Sequence, residues 1–133
     1  MNIFRSPSPN SPLDGNYSKQ DIFVHPDLQV THVIWGSGAF SKVHSHDSDG
    51  NISGYVIVLE GIIRNAVYTH IDGKLTPSWQ DYRQGECIPL PLGTVHKMQN
   101  LTKIAKTLHF YSPSIEKMIT FDDTQVKTLS QAY

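Results

Sequence analysis

Two histidines two residues apart, His44 and His46, are the side chains in this sequence best placed to do chemistry. They close a run, Phe40 to His46, that reads as a β-strand. Side chains alternate faces along a strand, so both imidazoles project to one side. Neutral imidazole is the commonest protein ligand for a metal. A third histidine, His96, follows the Pro91-Leu-Gly93 turn and opens a short strand over Val95 to Gln99, where it can project inward beside the pair. Three histidines on one ion leave positions open. Zinc held so carries an activated water, and iron(II) carries dioxygen and a substrate. Spacing alone does not choose between the metals. The blander reading makes His44 and His46 surface histidines beside the polar turn Asp47-Ser48-Asp49-Gly50, and His96 a structural one.

A second constellation lies in Ala105-Lys-Thr107-Leu-His109-Phe-Tyr111. Thr107, His109 and Tyr111 share one parity and hence one strand face. A hydroxyl, an imidazole and a phenol in a row can form a hydrogen-bond relay that orients the phenol and tunes its proton in a low-dielectric site. The other parity, Ile104, Leu108 and Phe110, reads as core. Both faces then look committed, so the polar row is expected to line a cavity; the competing reading is an edge strand facing water.

The elements that must position these groups are short strands punctuated by Gly and Pro. Strands are expected at Ile22 to Val24, Leu28 to Trp35, Gly54 to Leu59, Ile62 to His70, Glu86 to Leu90 and Ile104 to Tyr111. Asp72-Gly73 signals a hairpin, and Leu75 to Arg83 is ambiguous. A helical turn is expected over Ile115 to Ile119. The pattern indicates an all-β sandwich or barrel with little helix. The chain has 133 residues, enough for one domain. The Pro/Ser-rich residues 1–16 read as a flexible N-terminal arm, and 17–133 as a single domain with a polar C-terminal tail. A net charge of −1 gives no basic surplus for nucleic acid. No apolar run reaches membrane length. The N-terminus has no signal-peptide core, and the single cysteine, Cys87, has no intrachain disulfide partner. Both fit a cytoplasmic protein. Cys87 itself is expected to be buried and structural.

At this point the sequence resembles a known family. Gly38-(x)5-His44-x-His46 resembles the first cupin motif, without its usual glutamate, and Gly85-(x)5-Pro91-x-Gly93-xx-His96-xxx-Asn100 resembles the second at every fixed position. Leu108-His109-Phe110-Tyr111-Ser112-Pro113 resembles a signature of the cysteine dioxygenase (thiol dioxygenase) family of the cupin superfamily. His96 to Asn100 and Val58-Leu-Glu-Gly61 look like its bacterial branch. The resemblance runs from about Tyr17 to Ile119. It implies a cupin β-barrel (a double-stranded β-helix, or jelly roll) holding Fe(2+) through His44, His46 and His96. Tyr111 would lie beside the thiolate and dioxygen, His109 would hydrogen-bond Tyr111, and Thr107 would stand for the usual serine. The implied reaction adds both atoms of O2 to a small thiol, L-cysteine giving cysteine sulfinic acid.

Three departures shape the expectations. Where some members carry a cysteine crosslinked to the tyrosine, this chain has Gly54, so no crosslink is expected. The family clamps the substrate carboxylate with an arginine after an early tyrosine. Tyr17-Ser-Lys19-Gln20 puts Lys19 there, a cation without the bidentate fork. Relatives acting on 3-mercaptopropionate carry glutamine, and Gln20 is adjacent; opposite strand faces allow only one of the two to point in. Finally, the family's N-terminal helical region is missing, so the apolar surface it would cover is expected to be exposed or paired in a homodimer. Three readings result: a cysteine dioxygenase, a dioxygenase of 3-mercaptopropionate or another small thiol, and a non-catalytic cupin that binds a metal or ligand.

Overall fold

In a computed structural model of the chain, residues 12–46, 51–115 and 119–121 are described. Ten strands form two five-stranded antiparallel sheets, and the described residues contain no helix. The strands are β1 (Tyr17–His25), β2 (Leu28–Trp35), β3 (His44–Ser45), β4 (Ser53–Glu60), β5 (Ile62–Ile71), β6 (Lys74–Arg83), β7 (Cys87–Leu90), β8 (Val95–Asn100), β9 (Ala105–Ser112) and β10 (Ile119–Thr120). One sheet runs β1-β2-β9-β4-β7 and the other β10-β3-β8-β5-β6. The chain passes from sheet to sheet repeatedly, as at Gly61 between β4 and β5, which is jelly-roll architecture.

Local chemistry accounts for the turns. Asp72 and Gly73 both have positive φ, 52° and 77°, and join β5 to β6 as a two-residue hairpin. That primed geometry matches the right-handed strand twist. The β5–β6 ladder runs without a slip from Ile62↔Arg83 to Ile71↔Lys74, so Leu75 to Arg83 is a strand. Between the sheets, Val33, Trp35, Val56, Val58, Ile63, Ile88, Leu90 and Met98 form the main core. Val43, Ala66, Tyr68 and Leu75 form a second cluster. Truncating a buried residue such as Ile63 or Ile88 to alanine would cost about 2–5 kcal/mol.

Several expectations need correction. The strand expected over Phe40 to His46 has ladder pairing only at His44–Ser45, with one isolated bridge from Phe40 to Gln99. On β9 the row expected to line a cavity does so, Thr107, His109 and Tyr111 being 0, 5 and 6 % exposed, but Leu108 and Phe110, read as core, are only half-buried on the outer face. Cys87 is exposed rather than buried, because β7 is an edge strand and its inward positions are Ile88 and Leu90. Of the arm proposed over 1–16, residues 1–11 lie outside the described residues. Residues 13–16 form a turn bonded to the body, with Gly15 N donating to Ser37 O at 2.7 Å and Gly36 N to Asn16 O at 2.8 Å. The helical turn expected over 115–119 falls partly on 116–118, outside the described residues, and Ile119 belongs to β10. The expected polar tail, residues 122–133, also lies outside them, as do 47–50 of the polar turn.

Candidate metal centre and cavity

The two sheets bring the two constellations together. His44 and His96 are direct cross-strand partners in the β3–β8 ladder, so both side chains stand on the same face. His46 lies two residues beyond His44 and reaches the same point. The three rings sit with centroids 4.5, 4.9 and 5.1 Å apart, and their candidate ligand atoms lie within 4.8 Å of one another. All three residues are buried.

The donor set fits a metal ion. His96 is fully buried; its Nδ1 bonds Asn65 Oδ1 at 2.7 Å, and its Nε2 has no hydrogen-bond partner. An amide oxygen accepts only, so Nδ1 must carry the proton and Nε2 presents a bare lone pair. His44 repeats the device, its Nδ1 donating to the Lys42 carbonyl at 2.6 Å. Outer hydrogen bonds of this kind fix the tautomer and orientation of metal-binding histidines. Burial, then the neighbouring His44, His46 and His109, hold His96 well below the usual imidazole range. Burial lowers His44 as well, against the opposing pull of the Lys42 carbonyl. Both rings therefore stay neutral, as a ligand must.

From the facing sheet, β9 supplies the relay expected from its parity. Trp35 Nε1 donates to Thr107 Oγ1 at 2.9 Å. Thr107 Oγ1 meets His109 Nε2 at 2.7 Å, and His109 Nδ1 meets Tyr111 Oη at 2.9 Å. With Trp35 occupying an acceptor position on Thr107, the threonine proton is free to point at His109 Nε2. His109 then carries its proton on Nδ1 and donates it to the phenol oxygen. Burial drops His109 to about 3, so the ring is neutral near pH 7. Burial, and then the Asp21 carboxylate, push the Tyr111 phenol well above its usual range, so it keeps its proton. The phenol hydrogen is thereby left to point into the cavity. The Tyr111 ring lies 4.6 Å from that of His46, which places the end of the relay at the histidine triad.

A cavity of about 360 Å³ opens between the sheets, lined in part by His44, His109, Tyr111, Tyr17, Lys19 and Asp21. Register explains which side chains enter it. Across β1, β2 and β9, Lys19 pairs with Val33 and Val33 with Thr107; Asp21 pairs with Thr31 and Thr31 with His109. Tyr17 pairs with Trp35, their rings 5.0 Å apart. Gln20 instead pairs with His32 and His32 with Leu108, on the outer face, and Gln20 does not line the cavity. Of the two candidates for contact with a substrate carboxylate, Lys19 is thus the one that lines the cavity, although the residue itself is exposed. A bulge after Asp21 ends the inward row.

Gly54 stands opposite Tyr111 in the β4–β9 ladder. A Cβ built there would collide with the Phe110 carbonyl oxygen, so only glycine allows this approach of the strands. The Ser-Pro sequence after Tyr111 also has a place. Ser112 Oγ donates to Asp27 O at 2.8 Å and Ser114 N to Pro26 O at 3.0 Å, pinning the end of β9 to the β1–β2 hairpin. Sequence reasoning missed Asn65, Trp35, Thr31 and Asp21. The odd-number parity shared by Tyr17, Lys19 and Asp21 was the one available signal for Asp21.

No protein-family model matches the chain. Solved structures do. Oxalate oxidase aligns over 99% of this chain and 74% of its own, with a TM-score of 0.68 at 14% identity. KdgF from Halomonas sp. aligns over 75% of this chain and 81% of its own, with a TM-score of 0.61 at 15% identity. The cupin domain of Schizosaccharomyces pombe Cnp3 aligns over 74% and 65%, with a TM-score of 0.60 at 14% identity. These are cupin-superfamily proteins, and the likeness is one of fold. The chain has the all-β cupin fold, and its buried histidine triad lies inside the jelly roll.

Proposed function

We propose that this protein is a non-haem iron(II) thiol dioxygenase whose substrate is L-cysteine, converted to cysteine sulfinic acid. The observation that carries this reading is the Trp35–Thr107–His109–Tyr111 chain ending beside the triad of His44, His46 and His96. A cupin that only stored a metal has no need of a phenol held, protonated, at the ion. The Leu108 to Pro113 sequence supports the same reading through its resemblance to the thiol dioxygenases.

In the reaction, RSH and O2 give RSO2H. Two S–O bonds form and the O–O bond breaks; sulfur is oxidised by four electrons and dioxygen accepts all four, so no further reductant is needed. Iron(II) held by the three imidazoles would supply a deprotonated thiol and a binding place for dioxygen. The chain's own residues do the rest. Lys19 draws the substrate carboxylate to the β1 wall. The Tyr111 hydroxyl, fixed by His109, offers one hydrogen bond towards the space in front of the triad. Val33, Trp35 and Met98 give the cavity apolar wall and limit the water that enters. Holding the reactants side by side is most of the catalytic task here. We place the protein in the cytoplasm, where small thiols stay reduced. Among the described residues, no helix is long and apolar enough to cross a membrane.

The test is anaerobic loading with Fe(II), then oxygen uptake with L-cysteine and with 3-mercaptopropionate while sulfinate is measured. Uptake matched by sulfinate from L-cysteine is the expected result. Sulfinate from 3-mercaptopropionate alone moves the substrate. Firm iron binding with no uptake on either thiol returns the protein to the metal-binding cupins.

A further inference from the structure

The cavity wall carries a charge that the dioxygenase reading does not use. Asp21 is the sole carboxylate among the described residues lining the cavity. It lies two residues from Lys19 on the same inward row, so the two Cα atoms are about 7 Å apart. Opposite charges so placed commonly pair with each other. Here no described ion pair joins them. Asp21 is held another way: Thr31 Oγ1 donates to its Oδ1 at 2.7 Å and Gln29 Nε2 to the same oxygen at 3.2 Å. Gln29 Nε2 also reaches Thr31 Oγ1 at 3.2 Å, while the Gln29 Oε1 accepts from Ile115 N at 2.9 Å. The network positions the carboxylate and spends only one of its oxygens. Among the described residues nothing donates to Oδ2.

The geometry points to a clamp for an α-amino acid, in which Lys19 takes the carboxylate and Asp21 Oδ2 accepts from the amino group, with the side chain directed at the histidine triad. This deepens the thiol dioxygenase reading and rests on it for the identity of the reacting group. Register orders the contacts: Asp21 is level with His109 through Thr31, and Lys19 is level with Thr107 through Val33. A zwitterion satisfies both charges. 3-Mercaptopropionate, which has no amino group, would leave Asp21 facing an anion, and cysteamine, which has no carboxylate, would leave Lys19 facing a cation. The wall thus selects by rejection as well as by attraction.

Binding tests this directly, without turnover. The Fe(II)-loaded protein is titrated anaerobically by calorimetry with L-cysteine, 3-mercaptopropionate and L-serine, the last keeping the zwitterion without the thiol. Asp21→Asn should weaken L-cysteine and L-serine about tenfold, the usual worth of one charge-assisted hydrogen bond, and should tighten 3-mercaptopropionate, whose carboxylate then no longer meets a like charge. Equal weakening of all three, no weakening of either amino acid, or wild-type preference for 3-mercaptopropionate overturns the clamp. Melting and iron content report whether the variant is intact, and Asp21→Ser replaces it if it is not. The two readings fail separately. Wild-type protein that binds both amino acids through Asp21 yet oxidises no thiol keeps the clamp and loses the dioxygenase. Oxidation of L-cysteine with affinities indifferent to Asp21→Asn does the reverse.

Discussion

Replacing Asn65 by leucine tests whether the histidine triad is built to hold a metal. Asn65 is 3 % exposed and its Oδ1 is the acceptor for His96 Nδ1 at 2.7 Å. Leucine keeps the branching at Cγ, though it is bulkier, and accepts nothing, so a fully buried N–H loses its partner. That costs about 1–3 kcal/mol of folding stability. The effect on metal binding has a separate origin. Without Asn65 the His96 proton is free to move to Nε2, and the ring is free to turn. Loss of such an outer partner typically lowers metal affinity about 10–100-fold, or about 1.4–2.7 kcal/mol. The assay is competition for Fe(II) or Zn(II) against a chromophoric chelator, with thermal melting of the metal-free protein alongside. Asn65→Asp is the control, because a carboxylate restores the acceptor and makes the imidazole a better donor to metal. Asn65→Leu should bind weakly and Asn65→Asp at least as well as wild type. If Asn65→Leu binds metal as tightly as wild type while remaining folded, the tautomer argument for His96 Nε2 is wrong.

Other substitutions probe the relay and the strand packing. Tyr111→Phe removes the hydroxyl at the end of the relay but no metal ligand; it should keep full iron content and lose about 10²-fold or more in kcat, as removal of a positioned catalytic hydrogen bond does, and wild-type turnover would remove Tyr111 from the chemistry. Gly54→Ala forces a Cβ against the Phe110 carbonyl, so β4 and β9 must part. A loss of more than about 2 kcal/mol in urea unfolding is expected, above the usual range for a surface change, and an unchanged midpoint would refute the close approach. The metal-free protein should also be acid-sensitive. His109, at about 3 when folded, and His96, well below its ordinary value, take up protons on unfolding once the pH drops below about 6.5. Their stabilisation is therefore complete above that pH and is lost as the pH falls towards the folded values, each group contributing up to about 1.4 kcal/mol per pH unit. Urea midpoints at pH 7 and pH 5 measure the slope, and a flat profile would mean that these rings are solvated.

How much was legible in advance depended on whether the relevant geometry is local. Period-two alternation is a property of a single strand, so the shared face of Thr107, His109 and Tyr111 could be read directly, as could the His44–His46 pair. The Asp72-Gly73 hairpin was legible because its backbone torsions select those residue types. That Leu108 and Phe110 lie on the outer face was not legible, since apolar residues compete with the polar row for the interior and only the facing sheet decides. Nor was the exposure of Cys87, which follows from the edge position of β7.

By itself, then, the sequence determined that the protein is all-β, that its histidines come in strand-spaced sets, and that a hydroxyl, an imidazole and a phenol stand in one row. Only the tertiary structure decided that the sets meet. Cross-strand register pairs His44 with His96 and sets Asn65 behind it, brings Trp35 to Thr107, and turns Lys19 inward and Gln20 out. These contacts join residues far apart in the chain, and the free energy that selects one register over another comes from burying a whole sheet face at once. No short stretch of residues contains that information.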